Sequence, residues 1–416
     1  MSVSDARDAM RTMVGLGLVN IEEHLTERLD GMSALLERME SYALPVEGPV
    51  AETIADLRTM HALWMRLVDR YSESDHQDYV TYFECINERL GILGFDTRDA
   101  LFLDQVSATG SEDGLTKHQL DDLDTLLVLA PAFDVNTLIQ QELIYRLGGY
   151  DQLEQQDLAD GAFFRLLTEV NLAYAHYWSD PFEHFASQCP NVDALQRVKQ
   201  EFIEIIRGRF TAGVTSEVEI LSEDVNRLQG MLPDGVTAHG YVYSVFGQHC
   251  PDGKLVVNNF YPGHMSFMHR YTRHLDLGDE INNRLRAFYH RAGQVPIEIY
   301  ETMGFNANIH RPCYEERLLF DASRDRSDGG RFIRQIPLGQ CRLVPRGSGI
   351  GLKGYDGLTR VPILPSSLIR VLYPGQVAFF ASLFDNISFI NNLAGLFLSE
   401  EGNKDIVLSP ECVSNL

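Results

Sequence analysis

The sequence predicts an α+β fold: a helical first half, then a mixed β-sheet region containing one long helix. Three observations support this. Apolar residues recur at three- and four-residue steps through most of residues 1–214. From about residue 215 the pattern changes to short apolar or alternating runs bounded by Gly and Pro. One amphipathic stretch, about 266–291, interrupts those runs. The chain is accordingly divided into 1–214, an acidic helical region with a short strand ending at Asp104, and 215–416, a β-rich region.

The helical periodicity begins at Ala6 and runs to Tyr42 through Met10, Met13, Val14, Leu18, Leu25, Leu29, Met32, Leu35, Leu36 and Met39. Pro45, Gly48 and Pro49 form a loop, and helices are predicted over 50–72 and 76–92. Ala100, Leu101, Phe102 and Leu103 make a continuous apolar run ending at Asp104, which reads as a buried strand presenting that carboxylate. Further helices are predicted at about 116–130, 134–147, 160–178 and 192–212. Thr116, Asp134, and Asn191 or Asp193 stand where N-caps belong. Residues 152–160 read as a connection.

In the second region, 240–247 and 254–260 read as strands joined by the turn residues His249 to Gly253. Short strands are predicted near 296–302, 315–321, 331–335, 341–345 and 360–364, and a last helix over 374–386 after Pro374. The glycine-rich stretch Gly347 to Gly354 has no Ser or Thr after Lys353, so it reads as a β-turn between strands rather than a phosphate loop.

Composition narrows the function classes. The chain has 416 residues and a net charge of −24. Residues 1–237 carry 17 Lys and Arg against 42 Asp and Glu, whereas 238–360 carry 16 against 12. A global excess of acid argues against non-specific nucleic-acid binding, yet leaves room for a local anion site in the middle segment. The six cysteines are scattered with no CxxC pair, which fits reduced thiols and a cytoplasmic protein. Residues 1–12 lack the pattern of a signal peptide, and no apolar run is long enough to span a membrane. His264, His269 and His274 are spaced five apart and do not share one helical face, so no metal site is expected. HExxH, GxSxG and Walker A motifs are missing.

The most informative segment is Val256 to Tyr271, a strand running into Tyr261-Pro262-Gly263 and then a helix. Amides exposed at such a helix start favour an anion. Arg270 and Arg273 are three residues apart, project on nearby sides, and suit phosphate or carboxylate. By residue chemistry alone the cluster is equally readable as surface salt bridges.

This segment resembles the strand, Gly-x-Gly turn and Arg-Phe helix of the class I lantibiotic dehydratase family. Arg270 falls in register, Tyr271 stands for the Phe, Met265 for the second glycine, and Asn259 near the usual Asp. The resemblance extends to Met13–Asn20, to Leu101–Asp104, to Ile297–Pro312 with Asn308, Arg311 and Pro312 in place, and loosely to Arg342–Pro365. It covers about residues 10 to 385 and corresponds to the later part of the family's glutamyl-transfer domain.

The resemblance implies a subunit that transfers glutamate from glutamyl-tRNA, a co-substrate, to Ser or Thr of a ribosomally made precursor peptide, with no other cofactor. It implies that Arg270 binds a phosphate or the glutamate carboxylate, and that Asp104 orients the glutamate amine or receives a proton. Arg273, Asn259, Gly263, His264 and Arg311 are carried as substrate- or tRNA-binding candidates, Arg311 being also readable as a backbone brace. The family's leading basic group, leader-peptide element and separate elimination domain are not found in the sequence. The expectation is therefore a split enzyme that needs a complementary front-half chain, with a separate elimination protein as a further partner. Two alternatives stay open: a tRNA-dependent amino-acid ligase subunit acting on a carrier peptide, and a non-catalytic scaffold or peptide-binding partner.

Overall fold

The computed structural model of the chain describes residues 33, 36–37, 48–70, 84–85, 88, 114–175, 187–212, 220–236, 242–250, 254–263, 277–299, 313–320, 334–365 and 375–384. The chain forms two compact units: residues 1–105 with 304–309, and residues 106–303 with 310–416. In the first unit, α1 (Pro49–Arg70) starts on a proline, whose missing N–H costs nothing in a first turn. Ile54, Leu57 and Met60 are buried at three-residue steps, the stripe that the sequence periodicity requires. Ser33 and His61 are hydrogen-bonded at 2.9 Å. The segment Met13–Asn20, the strand ending at Asp104, and most of the helix expected over 76–92 lie outside the described residues.

The second unit opens with helices whose ends follow from local side-chain chemistry. Thr116 caps α2 (Lys117–Phe133) with a full capping box: Gln119 N donates to Thr116 Oγ1 at 3.2 Å, and Thr116 N donates to Gln119 Oε1 at 2.9 Å. Asp134 then ends α2 and caps α3 (Val135–Leu147), accepting from Asn136 N at 2.9 Å. Gly148 closes α3 at φ 92°, a left-handed conformation suited to glycine. A 3-10 turn (Tyr150–Gln155) overlaps the first residues of the stretch expected as a connection. Asp160 caps α4 (Gly161–Ala173).

α5 (Pro190–Ala212) starts earlier than Asn191 or Asp193 suggests. Pro190 takes the first turn, Asp193 N donates to Cys189 O at 3.1 Å, and Cys189 N donates to Ser187 Oγ at 3.0 Å. The short helix α6 (Ser222–Gln229) was not expected from the sequence; Arg227 ties it to Glu201 of α5 at 2.8 Å.

α3 is the central helix. Its first ten residues are all buried, polar ones included, so it has no amphipathic stripe. Burial obliges those polar groups to pair. Glu142 accepts from Arg146 Nε at 2.7 Å, Ser187 Oγ at 2.7 Å and Tyr174 Oη at 3.2 Å, joining α3 to the end of α4 and the start of α5. Burial and the nearby Glu142 charge push the Tyr174 phenol above its ordinary value. Gln141 Nε2 and Tyr150 Oη both donate to Ser348 O at 2.7 Å, which ties this layer to the sheet.

A hairpin, β1 (Tyr243–His249) with β2 (Leu255–Pro262), stands as its own two-stranded sheet with a register shift at Phe246/Gly247. α7 (Leu277–Arg291) covers the described end of the long helix expected over 266–291. Then comes a six-stranded mixed sheet: β3 (Gln294–Ile299), β4 (Glu316–Leu319), β5 (Arg334–Pro337), β6 (Arg342–Arg346), β7 (Gly349–Lys353) and β8 (Thr359–Ile363), in the order β5-β4-β3-β8-β7-β6. The β5-β4-β3-β8 half is parallel; β6 and β7 run antiparallel to their neighbours. Contrary to the sequence reading, the Gly347–Gly354 stretch is not all turn. Only Gly347-Ser348 forms the turn, and Gly349–Lys353 is strand β7. Ile350 and Leu352 alternate with the glycines and are buried at 1% and 0% exposure, enough apolar area to override glycine's poor strand preference. α8 (Gly375–Ala381) packs on α4 through Phe164 and Phe380, and Ser382 Oγ donates to Asn171 Oδ1 at 3.1 Å.

Candidate functional site

Of the residues singled out from sequence, Gly263 and the backbone of Asn259 are described. Asp104, His264, Arg270, Arg273 and Arg311 lie outside the described residues. Asn259 sits in β2 opposite Phe246, at the register shift of the hairpin. Gly263 ends β2 at φ 98°, where a side chain would strain the backbone. Its N–H donates to Val242 O at 2.7 Å, and its carbonyl accepts from Ser244 Oγ at 2.9 Å. The strand-to-glycine turn read from Val256–Tyr271 is thus present through Gly263.

That turn adjoins a cluster of buried ionisable groups where the carboxyl end of β3 meets the amino end of β4. Val242, whose carbonyl holds Gly263, packs against the buried cluster formed by Tyr289, Cys313, Tyr314, Val361 and Ile363. Glu298 lies within the apolar strand β3 and is fully buried. One of its carboxylate oxygens, Oε2, accepts from Cys313 N at 2.8 Å and from Tyr314 N at 3.4 Å. Arg317 of β4 stands opposite it in the parallel register and is 1% exposed. Burial pushes the Glu298 carboxyl up to about 8, against the two backbone donors and the Arg317 charge, which pull it down. From α7, Arg286 Nη2 donates to Cys313 O at 2.9 Å. The Cys313 residue is therefore held at its N–H by β3 and at its carbonyl by α7. Burial also pushes the Tyr314 phenol well above its ordinary value.

A second charged cluster lies at the amino ends of β4, β5 and β8. Arg360 of β8, with 0% side-chain exposure, donates Nε to Glu316 Oε2 at 2.6 Å and Nη2 to Glu316 Oε1 at 3.1 Å. Its Nη1 and Nη2 reach Asp356 at 2.8 and 2.7 Å. Arg334 bonds the same two carboxylates and stacks on Tyr355. With both arginines matched by both acids, this cluster is a brace between β4, β5, β8 and the 354–358 turn. Glu298, Arg317 and Arg286 are charged groups beside the Gly263 turn's cluster that the sequence reading does not single out. The available signal was a lone charge inside an apolar strand.

Among the described residues, no group of three His, Cys, Asp or Glu is placed to hold a metal ion, and no helix is long and apolar enough to cross a membrane.

No protein-family model matches the chain, and no curated protein matches it. Among solved structures it is similar to the glutamylation domain of TbtB from thiomuracin biosynthesis. The identity is 17% and the TM-score 0.54, over 92% of this chain and 46% of that one. The same domain bound to 5'-phosphodesmethylglutamycin matches at 18% identity and a TM-score of 0.49, over 83% and 46%. The chain thus spans a little under half the length of the TbtB chain it matches. Its helices and mixed sheet share the α+β fold of the TbtB glutamylation domain.

Proposed function

We propose that the chain takes part in transferring a glutamyl group from glutamyl-tRNA to Ser or Thr side chains of a ribosomally made precursor peptide. The observation that carries this reading is the fold likeness to the TbtB glutamylation domain over 92% of the chain. The Gly263 turn adds to it, because it lies at the position from which the family resemblance places its anion-binding helix.

The chemistry is ester exchange. The side-chain hydroxyl oxygen attacks the aminoacyl carbonyl, the terminal ribose oxygen of the tRNA leaves, and the hydroxyl proton ends on that leaving oxygen. The aminoacyl ester is already activated, so catalysis rests on orientation and charge placement. In this reading Arg270 binds a phosphate or the glutamate carboxylate, and Asp104 orients the glutamate amine or takes up the proton in transit. Arg273, Asn259, Gly263, His264 and Arg311 contribute binding contacts. Glutamyl-tRNA is the co-substrate, and the partners are the precursor peptide, a complementary chain supplying further binding residues, and a separate elimination protein acting on the glutamylated product.

The test is direct. The purified chain, alone and with its candidate partner chain, is incubated with precursor peptide and charged tRNA, and the peptide is read by intact mass spectrometry. The reading expects glutamyl adducts that disappear in Arg270→Ala and Asp104→Ala. Undiminished transfer in both variants would remove the site assignment. No transfer under any pairing would remove the function.

A further inference from the structure

We propose that Arg291, Arg342, Arg346 and Lys353 form a basic surface that binds the sugar-phosphate backbone of tRNA. The proposal rests on the glutamyl-transfer reading and names the surface that holds its co-substrate. The chain carries a net charge of −24, yet residues 281–297 and 334–355 contain no Asp or Glu. The fold brings cations of these two segments onto one face. Arg342 and Lys353 are register partners on β6 and β7, so they point to the same side of the sheet. Arg346, four residues along β6 from Arg342, shares that side. Gly351 of β7 leaves room for Arg346 to lie across the sheet, since a Cβ there would meet Arg346 Cβ and Thr359 Cγ2, each at 3.3 Å. Arg346 thereby reaches Gln294, donating Nε to Oε1 at 3.0 Å, and its guanidinium lies 5.8 Å from the Tyr289 ring centroid. Those contacts place it beside the last turn of α7, where Arg291 is exposed. Arg342 and Lys353 are exposed as well.

These cations differ from others on the surface in lacking acids. Arg197, Arg207, Arg227 and Arg284 each pair with a carboxylate. Among the described residues, no carboxylate pairs with Arg291, Arg342 or Lys353. Arg342 donates instead to a backbone carbonyl, that of Glu154, at 3.1 Å. A local positive field therefore stands on an acidic molecule. The Arg342 and Arg346 Cα atoms are about 13 Å apart along the strand. Cations spread over a face in this way suit the repeated charges of a nucleic-acid backbone better than one small anion. The surface also has a link to the candidate site. Tyr289, against which Arg346 lies, belongs to the buried cluster that Val242, the anchor of the Gly263 turn, packs against.

The experiment is tRNA binding by the full chain, alone and with its candidate partner, read by fluorescence anisotropy across a salt series. The probes are uncharged glutamate-accepting tRNA and poly-glutamate. The test variant combines Arg291→Gln, Arg342→Gln and Lys353→Gln, all at exposed positions, with circular dichroism to check the fold. The control combines Arg197→Gln, Arg207→Gln and Arg227→Gln, which changes the net charge equally on α5 and α6. A salt exponent of about 0.7–0.9 per phosphate contact makes each contact worth about five- to eight-fold at 0.1 M salt. The test variant should therefore bind tRNA at least about ten-fold more weakly, with a salt slope lower by about 2. The control should change binding by less than about two-fold. Unchanged tRNA binding in the test variant, or equal weakening in the control, would overturn the proposal. A test variant that keeps tRNA binding but loses poly-glutamate would assign the face to an acidic peptide and overturn it too. Those results leave the transfer reading standing, because that reading is judged by adducts on the peptide. Wild-type protein that binds no tRNA, with or without the partner, would remove both.

Discussion

Replacing Arg360 with Met should cost the second unit about 3 kcal/mol of stability, and the figure can be worked from its contacts. The guanidinium has no side-chain exposure and makes five hydrogen bonds, to Glu316, Asp356 and the Leu358 carbonyl. Met restores much of the buried apolar volume but none of those bonds. Glu316 and Asp356 are left with Arg334 as their guanidinium partner. Breaking a buried pair costs about 3–5 kcal/mol because charge is left behind. The carboxylates are 12% and 20% exposed, so water relieves part of this and the lower end applies.

The assay is urea unfolding by circular dichroism, with hydrogen exchange of the β4 and β8 amides to localise the loss to this sheet. The same variant has an acid signature. The Arg360 hydrogen bond holds the Asp356 carboxyl well below its ordinary range. A depressed carboxyl stabilises the fold above its unfolded pKa of about 4 and loses that contribution as pH falls through the folded value. Wild-type protein should therefore give up this contribution only in acid below about pH 4, and Arg360→Met should show a smaller loss, because Arg334 and the Leu358 N–H still hold Asp356. A cost under about 1 kcal/mol, the range of an exposed ion pair, would refute the brace.

Other outcomes follow from single contacts. Gly354→Ala should destabilise the sheet by about 1–3 kcal/mol on denaturant unfolding, since the added methyl overlaps the Arg360 guanidinium. Thr116→Ala should cost about 1 kcal/mol by removing the capping box of α2, measured in the same titration. Glu298→Gln should flatten the pH dependence of stability between about pH 5 and 8. With its carboxyl raised to about 8, Glu298 contributes stability fully below its unfolded pKa and loses it as pH rises through the folded value, and an amide cannot titrate.

Local signals were legible in the sequence and non-local ones were not. Thr116 and Asp134 act within three residues of themselves, so their capping roles could be read directly. Pro190 starts α5 ahead of the polar Asn191 and Asp193 because the missing proline N–H suits a first turn. The strands β3, β4 and β8 were read from their apolar residues, but their embedded charges were passed over. Glu298 meets Arg317, and Arg360 meets Glu316, only through the sheet order β4-β3-β8, which spacing along the chain does not encode. Strand β7 was read as turn because its glycines hid the alternation of Ile350 and Leu352. In the candidate site, Gly263 was legible because a turn after a strand calls for positive φ. Glu298 and Arg286 were not, because their partner is a backbone segment far along the chain.

The central claim is glutamyl transfer, and single-turnover transfer from tRNA charged with labelled glutamate tests it most directly. With precursor peptide and partner chain present, the label should move from tRNA to an ester on the peptide. The transfer should be lost in Arg270→Ala. Label that stays on the tRNA with wild-type protein, or appears on the peptide equally well without this chain, would contradict the account.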